Sequence, residues 1–261
     1  MRKMKRMIAG IMGFVIIFGL LAVYDGACGD PVSKAYAKRQ AVTYAEKLYP
    51  GQTFKVTGVL YDSPFVYRMQ VQSEESRDTH FEIVTRYWTD TSDKLSEDAL
   101  PEHERLVESR WNTCYRLGAE AAGQAELILQ NELPELEFIP LYYGIDQNTV
   151  EIDLCFSEEN VERYESSMKY SEYLILDQDF DSSILKNVSA RCMAAISWRG
   201  TPTEEDLQKV LGQIKNIMEA NEMPMAYYNV TLTPENGTYD EVRENMIESG
   251  NVASANINTD I

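Results

Sequence analysis

Residues 30–56 read DPVSKAYAKRQAVTYAEKLYPGQTFKV, and the change of period inside them decides the fold. Asp30 and Pro31 supply an N-cap acid and a first-turn proline. Behind them Val32, Ala35, Tyr36, Val42, Ala45, Leu48 and Tyr49 recur mostly three or four apart, which predicts one buried helical face. Pro50-Gly51 ends that helix, and the period drops to two over Phe54, Val56, Gly58 and Leu60. Two more alternating runs follow, Phe65, Tyr67, Met69, Val71 and then Phe81, Ile83, Thr85, Tyr87. Turn residues at 62–64 and 73–78 separate the three. The pattern predicts a helix laid on a three-stranded antiparallel meander, a small α+β unit.

Downstream, residues 101–131 read as one long helix whose stripe is Val107, Trp111, Cys114, Gly118, Ala121, Ala125 and Ile128. Most of these side chains are small, so another element can approach the helix axis. Packing against a sheet is the expected use, and a coiled-coil dimer the alternative. Strand-like runs at 138–145 and 149–156 flank the turn Asp146-Gln147-Asn148, and Ser157 caps a helix to about Tyr170. A strand over 188–198, a helix capped by Thr203 and Asp206, and a last strand alternating Ala226, Tyr228, Val230 and Leu232 complete the order. This order suggests a second, ferredoxin-like α+β unit. The residues beyond Glu248 read as a frayed polar tail.

Upstream, Ile8–Tyr24 is an uncharged apolar run behind Arg2, Lys3, Lys5 and Arg6, with Asp25 and Asp30 after it. Its roughly 17 residues are at the short end of what crosses a ~30 Å hydrocarbon layer. The cation bias places the amino terminus in the cytoplasm and the body outside. The expected state is a retained single-pass signal-anchor in the cell membrane. Cleavage after Gly29 and lipidation at Cys28 are the alternatives.

The formal net charge of the 261-residue chain is −18, and the basic amino terminus makes the remainder more acidic still. Nucleic-acid binding is excluded on that balance, since phosphate contacts carry most of such affinity. Four cysteines (Cys28, Cys114, Cys155 and Cys192) show no framework spacing. Cys155 and Cys192 fall on opposite phases of their strands, so free thiols are expected.

The string GDPVSKAYAKRQAVTYAEKLYPGQTFKV, followed by DTHFEI, resembles the amino-terminal region of YfjL-like proteins. These are short, membrane-anchored, uncharacterised proteins of Gram-positive bacteria. Its helix–YPG–three-strand order is also similar in shape to PepSY modules, exported domains associated with protease regulation. The resemblance covers roughly Gly29 to Trp88 and implies location and architecture. It brings no catalytic residues with it.

The chemistry-bearing residues are few. His80 and His103 are the two histidines, and both are expected to be exposed, outside any metal or hydrolase motif. Asp177, Asp179 and Asp181 open like a calcium loop, but Ser182 and Val188 stand where glycine and the closing glutamate belong. They remain a weak cation candidate. No cofactor and no catalytic residue is assigned. The expected organisation is a basic tail and anchor over 1–29, the αβββ module over 30–90, a helical connector over 91–133, a second α+β domain over 134–248 and a tail over 249–261. The expected function is that of a non-catalytic binding or regulatory ectodomain acting on another envelope protein. Its expected contact surface is Arg68, His80, Glu82 and Arg86 on the open side of the meander. An envelope hydrolase using acidic residues, or a cleaved or lipidated protein with a structural role, is the alternative.

Overall fold

A computed structural model describes residues 12, 13, 19, 29, 31–63, 66–86, 90–141, 148–154, 173–236 and 239–253. The protein is α+β, and the chain divides into two compact units, Met1–Glu108 and Ser109–Ile261. Almost all of Ile8–Tyr24, with Cys28, Cys155, the expected helix over 157–170 and residues 254–261, lies outside the described residues. Among the described residues no helix is long and apolar enough to cross a membrane.

In the first unit, helix α1 (Pro31–Leu48) packs on an antiparallel sheet of order β1-β2-β3-β4. Its strands are β1 (Phe54–Ser63), β2 (Val66–Ser73), β3 (His80–Arg86) and β4 (Asp90–Ser92). The meander therefore has four strands rather than three, because the chain turns back after β3 and pairs Arg86 with Asp90. The predicted phases of β2 and β3 hold: Tyr67, Met69, Val71, Phe81, Ile83 and Thr85 are buried. Phe65 and Tyr87 lie outside the described residues.

Of the predicted face of α1, Ala45 is buried and Val42, Leu48 and Tyr49 are half-buried, but the first turns are misplaced. The buried residues are Ser33, Ala37, Ala41 and Ala45, while Val32 is 78% exposed and Tyr36 is exposed as well. A stripe repeating every fourth residue with nothing larger than a hydroxymethyl lets helix and sheet backbones approach closely, and the bulky residues are displaced to its flanks. The phase of β1 is also half wrong. Val56 pairs with Val71 and Gly58 with Gln70, so Thr57 is an extra residue, a β-bulge. Past it the alternation inverts. Leu60 becomes 57% exposed, and Tyr61 turns to meet Tyr67 at a ring separation of 5.3 Å.

The long helix expected over 101–131 is broken. A π-helical turn, Glu104–Glu108, comes first, Arg110 then takes a left-handed φ of 71°, and helix α2 runs Trp111–Glu132. The Ser109 hydroxyl accepts from the Trp111 amide at 3.2 Å, an early cap inside what reads as continuous period. Cys114, Gly118, Ala121 and Ala125 are buried as expected, joined by Leu117 and Leu129, and Trp111 is exposed.

The second unit holds a six-stranded sheet. Strands β5 (Glu137–Ile139) and β6 (Val150–Leu154) both pair antiparallel with β7 (Ala190–Trp198). Beyond a short helix α3 (Ile184–Asn187) and β7, helix α4 (Glu204–Ala220) leads to β8 (Tyr227–Pro234), which lies parallel to β7. A parallel neighbour reached through one helix is a direct βαβ crossover. That corrects the ferredoxin-like expectation, in which strands joined by a helix have another strand between them. Helix α5 (Tyr239–Asn245), β9 (Ile247–Glu248) and β10 (Val252–Ala253) close the other edge, both strands antiparallel to β8. The residues after Glu248 are thus tied down as far as Ala253, with the Ser249 amide on the Val230 carbonyl.

The core joins Leu117, Ala121 and Ala125 of α2 with Ile152, Cys192 and Ile196 of the sheet and Leu207, Leu211 and Ile214 of α4. Cys114 and Cys192 are free thiols, and complete burial raises that of Cys192 to about 12. The predicted cap of α4 is a full capping box. Thr203 Oγ1 accepts from the Asp206 amide at 3.2 Å, and Asp206 Oδ2 accepts from the Thr203 amide at 3.0 Å. Thr203→Ala should cost about 1 kcal/mol, read as a lowered denaturation midpoint. An unchanged midpoint would show that the box contributes nothing net.

Candidate functional site

The β2–β3 register decides what the proposed contact surface can be. Arg68, His80, Glu82 and Arg86 share the face opposite α1, as their phase predicts, but they form a row rather than a cluster. His80 pairs with Gln72 at one end and Arg86 with Val66 at the other, about 20 Å apart along β3. Arg68 bridges Asp62 at 3.6 Å and Glu82 at 3.4 Å, and Arg86 faces Asp90 at 3.8 Å. Glu82 titrates above its ordinary range, because burial disfavours the charge and Glu102 and Asp62 repel it, against the pull of Arg68. His80 is exposed by surface area, yet partial desolvation holds it below a free imidazole despite the attraction of Asp78. Val84 shares this face and is buried, and the π-helical turn packs on the same strand. The open part is the row Asp62–Arg68–Glu82 with Leu60 beside it. It can offer paired charges and one apolar side chain to a partner.

A second cluster was not legible as one. His103, expected in a solvated turn, has a side chain only 14% exposed. Its ring lies edge-on to Tyr49 at 6.3 Å and tilted against Phe81 at 6.2 Å. Nδ1 meets Asp93 Oδ2 at 2.5 Å, and the His103 amide donates to the same oxygen at 3.0 Å. Tyr44 Oη donates to Asp93 Oδ1 at 2.9 Å. The physical source of the error is the turn after β4, which folds residues 93–103 back toward α1. Asp93 gives no periodic signal that would announce it.

Asp177, Asp179 and Asp181 stand in the loop before α3. The Asp181 carboxylate accepts from the Ser183 amide at 2.8 Å, and hydrogen bonds from Ser183 lower its titration. Asp177 has a left-handed φ of 61°. Among the described residues no three His, Cys, Asp or Glu side chains are placed to share an ion.

Comparison with known proteins bears on the amino-terminal part. Over 73 residues the chain is 32% identical to the uncharacterised protein YfjL of Bacillus subtilis, covering 27% of this chain and 32% of that one. The match thus spans about a third of that protein's length. A DUF5037 family protein from Ruminococcus gnavus, known as a crystal structure, aligns over 82% of both chains at 12% identity. Its TM-score is 0.21, too low to relate the folds. Residues 4–94 match the family of YfjL-like N-terminal domains, and over that stretch the chain is YfjL-like.

Proposed function

We propose that the chain is a single-pass membrane protein whose acidic α+β body lies outside the cytoplasm as a non-catalytic binding or regulatory module for another envelope protein. The observation that carries this reading is the sequence of four cations, an uncharged apolar run and two acids that precedes the first folded unit. Ile8–Tyr24 holds the bilayer. The contact surface is the row Asp62, Arg68, Glu82 with Leu60, extended to His80 and Arg86 at its ends. Charges already paired with one another are partly desolvated and pre-positioned, which favours specific over merely electrostatic association. The rival is an acid-dependent hydrolase, which the upward shift of the Glu82 carboxyl by burial favours.

The test is cross-linking in intact cells with a tagged full-length chain. One recurrent envelope protein should co-purify, and changing Arg68 and Arg86 together to alanine should cut its recovery about tenfold or more. Undiminished recovery moves the surface elsewhere. Turnover of wall fragments or peptides that is lost in Glu82→Gln would replace the binding reading with the hydrolase.

A further inference from the structure

One carboxylate ties together three parts of the first unit. Asp93, 1% exposed, accepts from Tyr44 on α1 and twice from His103, while its own carbonyl accepts from the Glu102 amide at 2.9 Å. Residues 93–103 are thereby closed into a loop, and the His103 ring fixes the loop between Tyr49 and Phe81. Glu102, itself buried, is held by Arg105 through two hydrogen bonds of 2.9 and 2.8 Å. The π-helical turn with buried Val107 follows directly and ends at Glu108, where the unit ends. Nothing comparable in hydrogen bonding holds Leu95 to Leu100 among the described residues, where Leu100 is exposed.

Burial by itself would raise the Asp93 carboxyl, but the donors from the His103 ring, the His103 main chain and Tyr44 outweigh it and hold the group below its ordinary range. The titratable groups that face it are Tyr44 from α1 and His103 from its own segment. The Tyr44 phenol, raised to about 12 by burial and by its bond to Asp93, stays neutral. A carboxyl held low in the folded state contributes stability above its unfolded titration range, and that contribution is lost as pH falls through the folded value. Once Asp93 is protonated, the donors from His103 face a neutral acid and the loop loses the charge that gathers it.

We propose that Tyr44, Asp93 and His103 form an acid-released clasp, which holds residues 94–108 on the first unit at neutral pH and lets that segment go before the sheet unfolds. The sheet has a separate source of stability in Phe54, Tyr67, Met69, Val71, Phe81 and Ile83, none of which titrates in this range. The clasp does not depend on the binding reading above. It would make the end of the first unit responsive to acidification.

Hydrogen exchange read by mass spectrometry on the full-length chain in neutral detergent tests this, from neutral down to about pH 3, with rates normalised for intrinsic exchange. Peptides within 94–108 should lose protection about tenfold or more on acidification while peptides of β2 keep theirs. Asp93→Asn should give low, pH-independent protection of 94–108. Asp98→Asn, at an exposed carboxyl of the same segment, should retain the wild-type profile. Should Asp93→Asn unfold β2 at neutral pH, Tyr44→Phe carries the test. It removes one donor, so the Asp93 titration rises and release must begin at higher pH. Simultaneous loss of 94–108 and β2, an acid transition that survives Asp93→Asn, an unmoved Tyr44→Phe transition, or no transition at all overturns the proposal.

Discussion

Gly118→Ala should destabilise the second unit by about 1–3 kcal/mol, although alanine is the better helix former by about 1 kcal/mol. A Cβ at Gly118 would lie 2.5 Å from the carbonyl oxygen of Ile152, which is backbone of β6 and cannot rotate away. Cys114, one turn earlier, has its sulfur 3.4 Å from the Leu154 carbonyl, so the whole first half of α2 sits against that strand. Added bulk must push helix from sheet across a core that includes Leu117, Ala121 and Cys192. Gly118→Val should be worse. Gly123 lies on the same helix with nothing within 4 Å of its would-be Cβ, and Gly123→Ala should stabilise by about 0.5–1 kcal/mol. Denaturant midpoints of the full chain read both. The opposed signs separate close approach from helix propensity, and a stabilising Gly118→Ala would mean that β6 gives way freely.

Deleting residues 1–28 should move the protein from the membrane fraction to the soluble fraction nearly completely. A helix inserted across the bilayer is held far more firmly than a single acyl chain, so retention is close to all or none. The cut is placed before Gly29 because that residue belongs to the fold. Its φ is 69°, and a Cβ there would meet the Tyr67 hydroxyl at 2.5 Å. The shortened chain should therefore keep the stability of its first unit. Cys28→Ala in the full-length chain leaves fractionation unchanged if Ile8–Tyr24 is the anchor and releases the protein if lipid is. A full-length chain already found in the soluble fraction defeats the anchor reading.

Much of the architecture follows from period and punctuation. The start of α1 at Pro31, the phases of β2 and β3, the small stripe of α2 and the capping box of α4 are all local signals that tertiary structure left in place. The failures share one cause, an event that no window of alternating residues can contain. Thr57 inserts one residue and inverts the strand beyond it. Arg110 takes a left-handed conformation inside a run that otherwise scans as helix. The parallel placement of β8 beside β7 depends on how α4 crosses, while the periodicity of the two strands would be the same in either arrangement. Arg68, Glu82 and Arg86 could be put on one face by parity alone. That Arg68 and Arg86 already have acidic partners, and that Asp93 reaches His103 from another turn, are matters of contact between distant residues.

The stripe Ser33, Ala37, Ala41 and Ala45 reverses the usual link between size and importance along α1. Val32 and Tyr36 of that helix stand exposed, outside the seam, and the fully buried positions that set the distance between helix and sheet carry almost no side chain. Relatives compared at these positions should therefore vary freely in greasiness on the flanks while agreeing in smallness at every fourth residue. What such a lineage would preserve is a spacing between two surfaces, a quantity invisible to any tally of hydrophobic letters.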